Sequence, residues 1–160
     1  MEKEGREVVL LSKTIVTVFL CCWITVYSAV QAKCQETRLK SIPLQVSKAF
    51  ATKYNRGTDA EWFRNDELYK VSFVQDEIYY FAWFTSNGKW LRSEYTIEPD
   101  DLPPVVKATL KKSQYANWQT GNANVFLYPD KAPQYQLFVY DNDWNELELF
   151  FDSEGKLLTQ

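Results

Sequence analysis

The feature that most constrains this chain is an internal repeat. A segment that begins at Ile42-Pro43 recurs 60 residues later at Leu102-Pro103, and the run 84–91 recurs 67 residues later at 151–158. Residues 43–91 and 103–158 therefore have the pattern of one unit present twice. Because a duplicated unit produces a shaped surface more readily than a single catalytic constellation, the repeat favours a binding or structural role.

Each unit has the pattern of one amphipathic helix followed by antiparallel strands. Pro43 and Pro103 open the two helices, because a fixed φ and a missing N–H suit the first helical turn. Alternating apolar residues and turns such as Asn87-Gly88 then predict about four strands in each unit. The sequence thus predicts an α+β fold. In it, two tandem helix-plus-meander repeats form one curved sheet of about eight strands, with both helices on one face.

The first 32 residues have the pattern of a signal peptide or, as an alternative, of an N-terminal anchor. Residues 14–30 carry no charge, Lys13 precedes them, and Val30 and Ala32 suit a signal peptidase site with cleavage after Ala32. An uncharged segment of this length also just reaches the lower limit for a membrane span. We therefore expect a periplasmic or secreted protein. The expected order is a flexible lead-in at 33–40, a first repeat at 41–98 and a second repeat at 99–160.

The composition argues against catalysis and against nucleic-acid binding. The sequence has no histidine, the commonest general base and metal ligand, and its net charge of −3 provides no basic stripe for phosphates. Cleavage would leave Cys34 as the single cysteine, which excludes an intrachain disulfide or a thiolate metal site. Asp141-Asn142-Asp143 superficially resembles a calcium loop but lacks the glycine of the sharp turn. We expect no cofactor, no metal and no enzymatic activity.

Comparison of the two units predicts the strand register. In the second unit Glu146 and Glu148 must face water, so Leu147, Leu149 and Phe151 face the helices. The same register applied to the first unit predicts that the aromatic residues of its third strand divide between the two faces. Tyr80 and Phe84 are predicted to lie under the helices, whereas Tyr79, Phe81 and Trp83, with Trp90 of the next strand, are predicted to lie on the opposite face.

Large aromatic side chains on an uncovered sheet face are typical of binding surfaces. We therefore predict a protein-binding surface at Tyr79, Phe81, Trp83 and Trp90, whose partner is a periplasmic or secreted protein, for example an enzyme that is inhibited. Two alternatives remain open. The same aromatic residues suit stacking on a small ligand or glycan, and they could also be covered by internal packing or self-association.

The chain resembles the PepSY-like family of exported bacterial proteins, which is described as similar to the β-lactamase-inhibitor protein. The resemblance covers roughly residues 41–159. It is carried by the helix starts at Ile42-Pro43 and Leu102-Pro103, by Trp62 after the first helix, and by the ending at 151–158. It implies an exported helix-on-sheet module that acts as an inhibitor or binder. It does not imply inhibition of a β-lactamase, because no contact residues of that inhibitor can be matched here.

Overall fold

Pairing between strands that are neighbours in sequence accounts for the sheet. The computed structural model describes residues 37–158, and within them nine antiparallel strands follow one another in chain order across an open sheet. The strands are β1 (Thr37–Leu39), β2 (Thr58–Asn65), β3 (Leu68–Gln75), β4 (Ile78–Thr85), β5 (Trp90–Ile97), β6 (Gln119–Leu127), β7 (Gln134–Tyr140), β8 (Glu146–Phe151) and β9 (Leu157–Leu158). Helix α1 (Leu44–Lys53) precedes β2, and helix α2 (Pro104–Lys112) precedes β6. A 3₁₀ helix at Pro99–Asp101 leads into α2.

The predicted α+β class, with two helices and one antiparallel sheet, is confirmed, but the sheet has nine strands rather than about eight. The additional strand is β1, which pairs Thr37 with Arg64 and Leu39 with Trp62. The prediction of a flexible lead-in at 33–40 is therefore wrong for residues 37–39. This segment is short and mostly polar, so its sequence has no alternation of apolar and polar residues that would predict a strand. Its strand conformation depends on pairing with β2. The predicted signal segment, its cleavage site and Cys34 lie outside the described residues.

Both helices begin in the same way. The carbonyl of Pro43 accepts N–H groups from Val46 at 3.0 Å and from Ser47 at 3.1 Å. The carbonyl of Pro103 accepts the corresponding groups of Val106 and Lys107 at the same two distances. Val46 and Val106 are the fully buried residues of their helices. Each helix therefore presents one apolar side, three residues after the proline, to the sheet.

The core consists of two clusters on the same face of the sheet. The cluster under α1 contains Val46, Tyr54, Tyr69, Val71, Phe73, Ala82 and Phe84. The cluster under α2 contains Leu102, Val106, Ala123, Leu137, Val139, Leu149 and Phe151. Pairing of Tyr80 with Tyr95 and of Tyr95 with Val125 continues one face from the first cluster to the second. Both helices therefore cover the same face, as predicted.

Two turns press against the helices. In each, the first residue donates its N–H to the carbonyl of the fifth: Thr85 to Lys89 at 3.0 Å and Asp152 to Lys156 at 3.1 Å. The fourth residue is a glycine with positive φ, +84° at Gly88 and +79° at Gly155. A Cβ at Gly88 would lie 2.6 Å from the Gln45 carbonyl oxygen, and one at Gly155 would lie 2.7 Å from the Val105 carbonyl. Only glycine allows the turn backbone to approach the first turn of each helix this closely.

We predict that Gly88→Ala and Gly155→Ala each lower the free energy of unfolding by about 2 kcal/mol or more. The added methyl group combines a left-handed conformation with a clash against helix backbone. Urea denaturation of the purified variants measures the effect. Ser86→Ala, at an exposed position of the same turn, is the control and should change stability by less than about 0.5 kcal/mol. Neutral alanine substitutions at both glycines would contradict this account of the turns.

Candidate functional site

The sheet face opposite the helices, termed here the open face, carries three aromatic residues of β4. On this face Trp83 pairs with Lys70, Phe81 with Ser72, and Tyr79 with Val74, whereas the alternate residues of both strands belong to the core. The ring centroids are 5.2 Å apart for Tyr79 and Phe81 and 6.2 Å apart for Phe81 and Trp83. These three residues form the aromatic row, and their orientation agrees with the predicted register.

Exposure changes along the aromatic row. Tyr79 is 53% exposed, Phe81 is half-buried and Trp83 is only 8% exposed. The Lys70 ammonium lies 4.5 Å from the Phe81 ring centroid, and the Arg92 guanidinium lies 4.0 Å from the Trp83 centroid. Cations from the two neighbouring strands therefore cover the Phe81 and Trp83 end of the row. The Tyr79 end is the part available to another molecule.

Trp90, the fourth predicted site residue, faces the helices instead. The register of β4 and β5 shifts so that Trp83 pairs with Arg92 but Phe84 pairs with Trp90, which leaves Leu91 as an extra residue. Because of such a bulge, the residue before it lies on the sheet face opposite to the one that simple alternation predicts. The Trp90 indole consequently packs on the first core cluster and donates to Ser93 Oγ at 2.8 Å. The prediction that Trp90 lies on the open face is wrong.

A depression of about 470 Å³ lies beside the Tyr79 end of the aromatic row. Its apolar part comes from Ile78, Tyr79 and Phe81, and its polar part includes Glu94, Thr96 and Asn124. Aromatic walls with a few polar groups are the usual composition of a recognition pocket. The depression is thus suited to receive a side chain or a small polar ligand against the exposed Tyr79 ring.

The environment at the depression changes the pKa of Glu94. Its carboxylate lies 3.3 Å from an Arg92 nitrogen. Burial raises the pKa of Glu94, and the positive charges of Arg92 and Lys70 oppose that rise only in part. The carboxylate therefore contributes a partly desolvated negative charge to the wall of the depression.

A chain of side-chain hydrogen bonds crosses the other half of the open face. Thr96 Oγ1 donates to Asn124 Oδ1 at 2.9 Å, and Asn124 Nδ2 donates to Gln136 Oε1 at 2.9 Å. Gln136 Nε2 then donates to Glu148 Oε2 at 2.6 Å. This amide ladder joins β5, β6, β7 and β8. The ladder was not predicted from the sequence, although the polar residues at alternate positions of β6 and β7 were a usable signal.

Within residues 37–158, no three His, Cys, Asp or Glu side chains are arranged to hold a metal ion. Asp141, considered above as part of a calcium-like loop, uses its carboxylate inside the turn. Its Oδ1 accepts the N–H groups of Asp143 at 2.8 Å and of Asn145 at 2.9 Å. No helix in the described part of the chain has the length and apolar character to cross a membrane.

Sequence comparison identifies the family. The profile of the family described as "Putative beta-lactamase-inhibitor-like, PepSY-like" matches residues 67–159. Because this match spans more than half of the chain, the chain belongs to the PepSY-like family, as its helix starts and its ending predict. No curated protein has a significantly matching sequence.

Solved structures from Bacteroides species share the fold. A DUF2874 family protein from Bacteroides ovatus is 23% identical, with a TM-score of 0.70 over 76% of this chain and 87% of that one. A BLIP-like protein from Bacteroides fragilis is 23% identical, with a TM-score of 0.69 over 76% and 86%. A Bacteroides eggerthii protein described among "putative periplasmic proteins" is 20% identical, with a TM-score of 0.67 over 74% and 87%. At these identities the likeness shows the fold alone.

We predict that Arg92→Ala exposes Trp83 and lowers the free energy of unfolding by about 1–2 kcal/mol, because both stacking and packing of the guanidinium stem are lost. A red shift of tryptophan emission reports the exposure, and the shift should be absent when Trp83→Phe is also present. Arg56→Ala is the matched control. Arg56 forms an exposed ion pair with Asp76 at 2.8 Å, and its loss should cost less than about 0.5 kcal/mol. Equal losses for the two arginines would show that Arg92 does not cover Trp83.

The raised pKa of Glu94 predicts a pH dependence of stability. When the folded-state pKa exceeds the unfolded-state pKa, the unfolded chain releases the proton first, so the free energy of unfolding falls as pH rises between the two values. Wild type should therefore lose stability relative to Glu94→Gln between pH 4 and pH 7. Parallel urea titrations of the two proteins measure this difference. A difference that stays constant, or that changes in the opposite direction, would contradict the burial of this carboxylate.

Proposed function

We propose that this protein is an exported, non-enzymatic binding module that engages another protein, in the manner of an inhibitor, through the Tyr79 end of its open face. The observation that carries the proposal is the exposed Tyr79 ring beside a depression of about 470 Å³. Lys70 and Arg92 lie over the Phe81 and Trp83 rings, and the amide ladder crosses the second half of the open face. The proposed contact is consequently small and centred on Tyr79, with Phe81 and Ile78 at its border. Trp83 is buried and contributes by packing against Phe81.

Several features support the wider proposal. The uncharged segment 14–30 after Lys13 supports export, and a structure of the same fold is described among "putative periplasmic proteins". The lack of histidine supports a role without catalysis. The matching helix starts and glycine turns support an origin of the two halves, 41–98 and 99–160, as repeats. The name of the Bacteroides fragilis structure, a BLIP-like protein, supports protein binding as the type of activity.

Tyr79→Ser tests this proposal. The substitution removes an exposed ring, so it should leave the urea midpoint nearly unchanged while reducing capture of a specific periplasmic protein at least about tenfold. Immobilised wild type and variant are compared on the same periplasmic extract of the native host. Binding of the captured protein is then measured with purified components.

Leu44→Ser is the matched control, because Leu44 is also an exposed apolar residue but lies on α1. It should capture the partner as wild type does. If Tyr79→Ser captures the partner normally, or if Leu44→Ser loses it, the open face is not the binding surface.

A second candidate function is recognition of a small ligand or glycan. It is favoured by the polar groups that Glu94, Thr96 and Asn124 place opposite the Tyr79 ring. A thermal-shift screen with soluble oligosaccharides separates the two functions, because a ligand that binds the folded state raises the melting temperature with its concentration. A saturable rise that is lost in Tyr79→Ser would favour the small-ligand function over protein binding.

A further inference from the structure

The β7–β8 turn has the backbone pattern of the two glycine turns but carries a tryptophan in the glycine position. Asp141 donates its N–H to the Asn145 carbonyl at 3.2 Å, and Trp144 donates to the Asp141 carbonyl at 3.1 Å. Trp144 has φ of +63°, where Gly88 and Gly155 occupy the corresponding position of their turns. A left-handed conformation is unfavourable for a residue with a bulky side chain.

Burial of the Trp144 ring does not offset this conformational cost. The side chain is 70% exposed, more than Leu44 at 64%. Its ring centroid lies 6.2 Å from that of Tyr140, with the planes inclined by 52°. A large aromatic ring that lies at a turn with most of its surface in solvent has the properties of a binding anchor.

The charges around Trp144 indicate what it would bind. Three acidic residues, Asp141, Asp143 and Glu146, lie within three residues of Trp144, and the stretch 132–155 contains no Lys or Arg. The Asn145 side chain donates to Asp141 Oδ2 at 2.9 Å and lowers the pKa of Asp141, which stays ionised. The Tyr140 hydroxyl donates to Glu146 at 2.7 Å. The two rings therefore lie among carboxylates, an arrangement that attracts a cation onto the ring faces.

We infer that the Trp144 turn binds an arginine side chain presented by a basic segment of a protein partner. The planar guanidinium stacks on the Trp144 indole while it pairs with the carboxylate of Asp143 or Glu146. Arginine suits this site better than lysine, because its guanidinium is planar and more weakly hydrated. The site is separate from the aromatic row, from which strands β5 and β6 divide it.

Nuclear magnetic resonance of the ¹⁵N-labelled protein tests the inference. The probe is an acetylated and amidated tetra-arginine peptide, compared with tetra-lysine and tetra-glutamate peptides of the same form. The Trp144 indole N–H is assigned by its absence in Trp144→Gly. Tetra-arginine should shift this signal saturably, tetra-lysine should bind about threefold or more weakly, and tetra-glutamate should not bind. The double variant Asp143→Asn, Glu146→Gln should weaken tetra-arginine binding about tenfold.

Trp144→Gly separates binding from folding. Glycine relieves the left-handed strain, so the variant should have a higher urea midpoint than wild type but bind tetra-arginine about tenfold more weakly. Tyr79→Ser should bind the peptide as wild type does, which keeps this site distinguishable from the open face.

Three results would overturn the inference. The first is unchanged peptide binding in Trp144→Gly. The second is a lower urea midpoint in that variant, which would show that the ring holds the turn. The third is an indole shift produced by maltose or by phosphatidylcholine vesicles but not by tetra-arginine.

Discussion

The close contact between each glycine turn and the first turn of a helix determines how this molecule is arranged. Gly88 and Gly155 bring the turn backbone against Gln45 and Val105, at distances that leave no room for a Cβ. This contact fixes the start of each helix over one end of the sheet. From there the helix runs along a single face, and its apolar side closes that face over the two core clusters. On the opposite face, the side chains of the sheet contact one another instead of a helix of the described residues.

Side chains of the open face contact one another in two different ways. In the first half, cations from neighbouring strands lie over the aromatic row, so that Trp83 is buried although both helices of residues 37–158 lie on the other face. In the second half, the amide ladder pairs polar side chains across four strands. Both arrangements pair charged or polar side chains with neighbours on the same face. The exposed Tyr79 end and its depression stand out against this background, which is why the proposed function is placed there.

The sequence was sufficient for the fold class, the family and most of the strand register. The register could be predicted because Glu146 and Glu148 have to face water, and the similar sequence pattern of residues 84–91 and 151–158 allowed the same register to be applied to the first half. The face of Trp90 could not be predicted, because the bulge at Leu91 has no local signal and is visible only in the pairing of two strands. Internal packing of the aromatic residues was one of the open alternatives, and the sequence could not decide for Trp83, because its burial depends on which cations the neighbouring strands place over it. Strand β1 was not predicted, because its strand conformation depends on pairing with β2 and not on a pattern in its own sequence.

Site-specific photo-crosslinking tests the central claim most directly. A benzophenone amino acid is introduced at Tyr79 or, as the matched position on α1, at Leu44, and the protein is irradiated in living cells of its native host. We expect that position 79 gives a defined adduct with one protein and that position 44 does not. Equal labelling from both positions, or no adduct from position 79, would contradict the assignment of the open face as the binding surface.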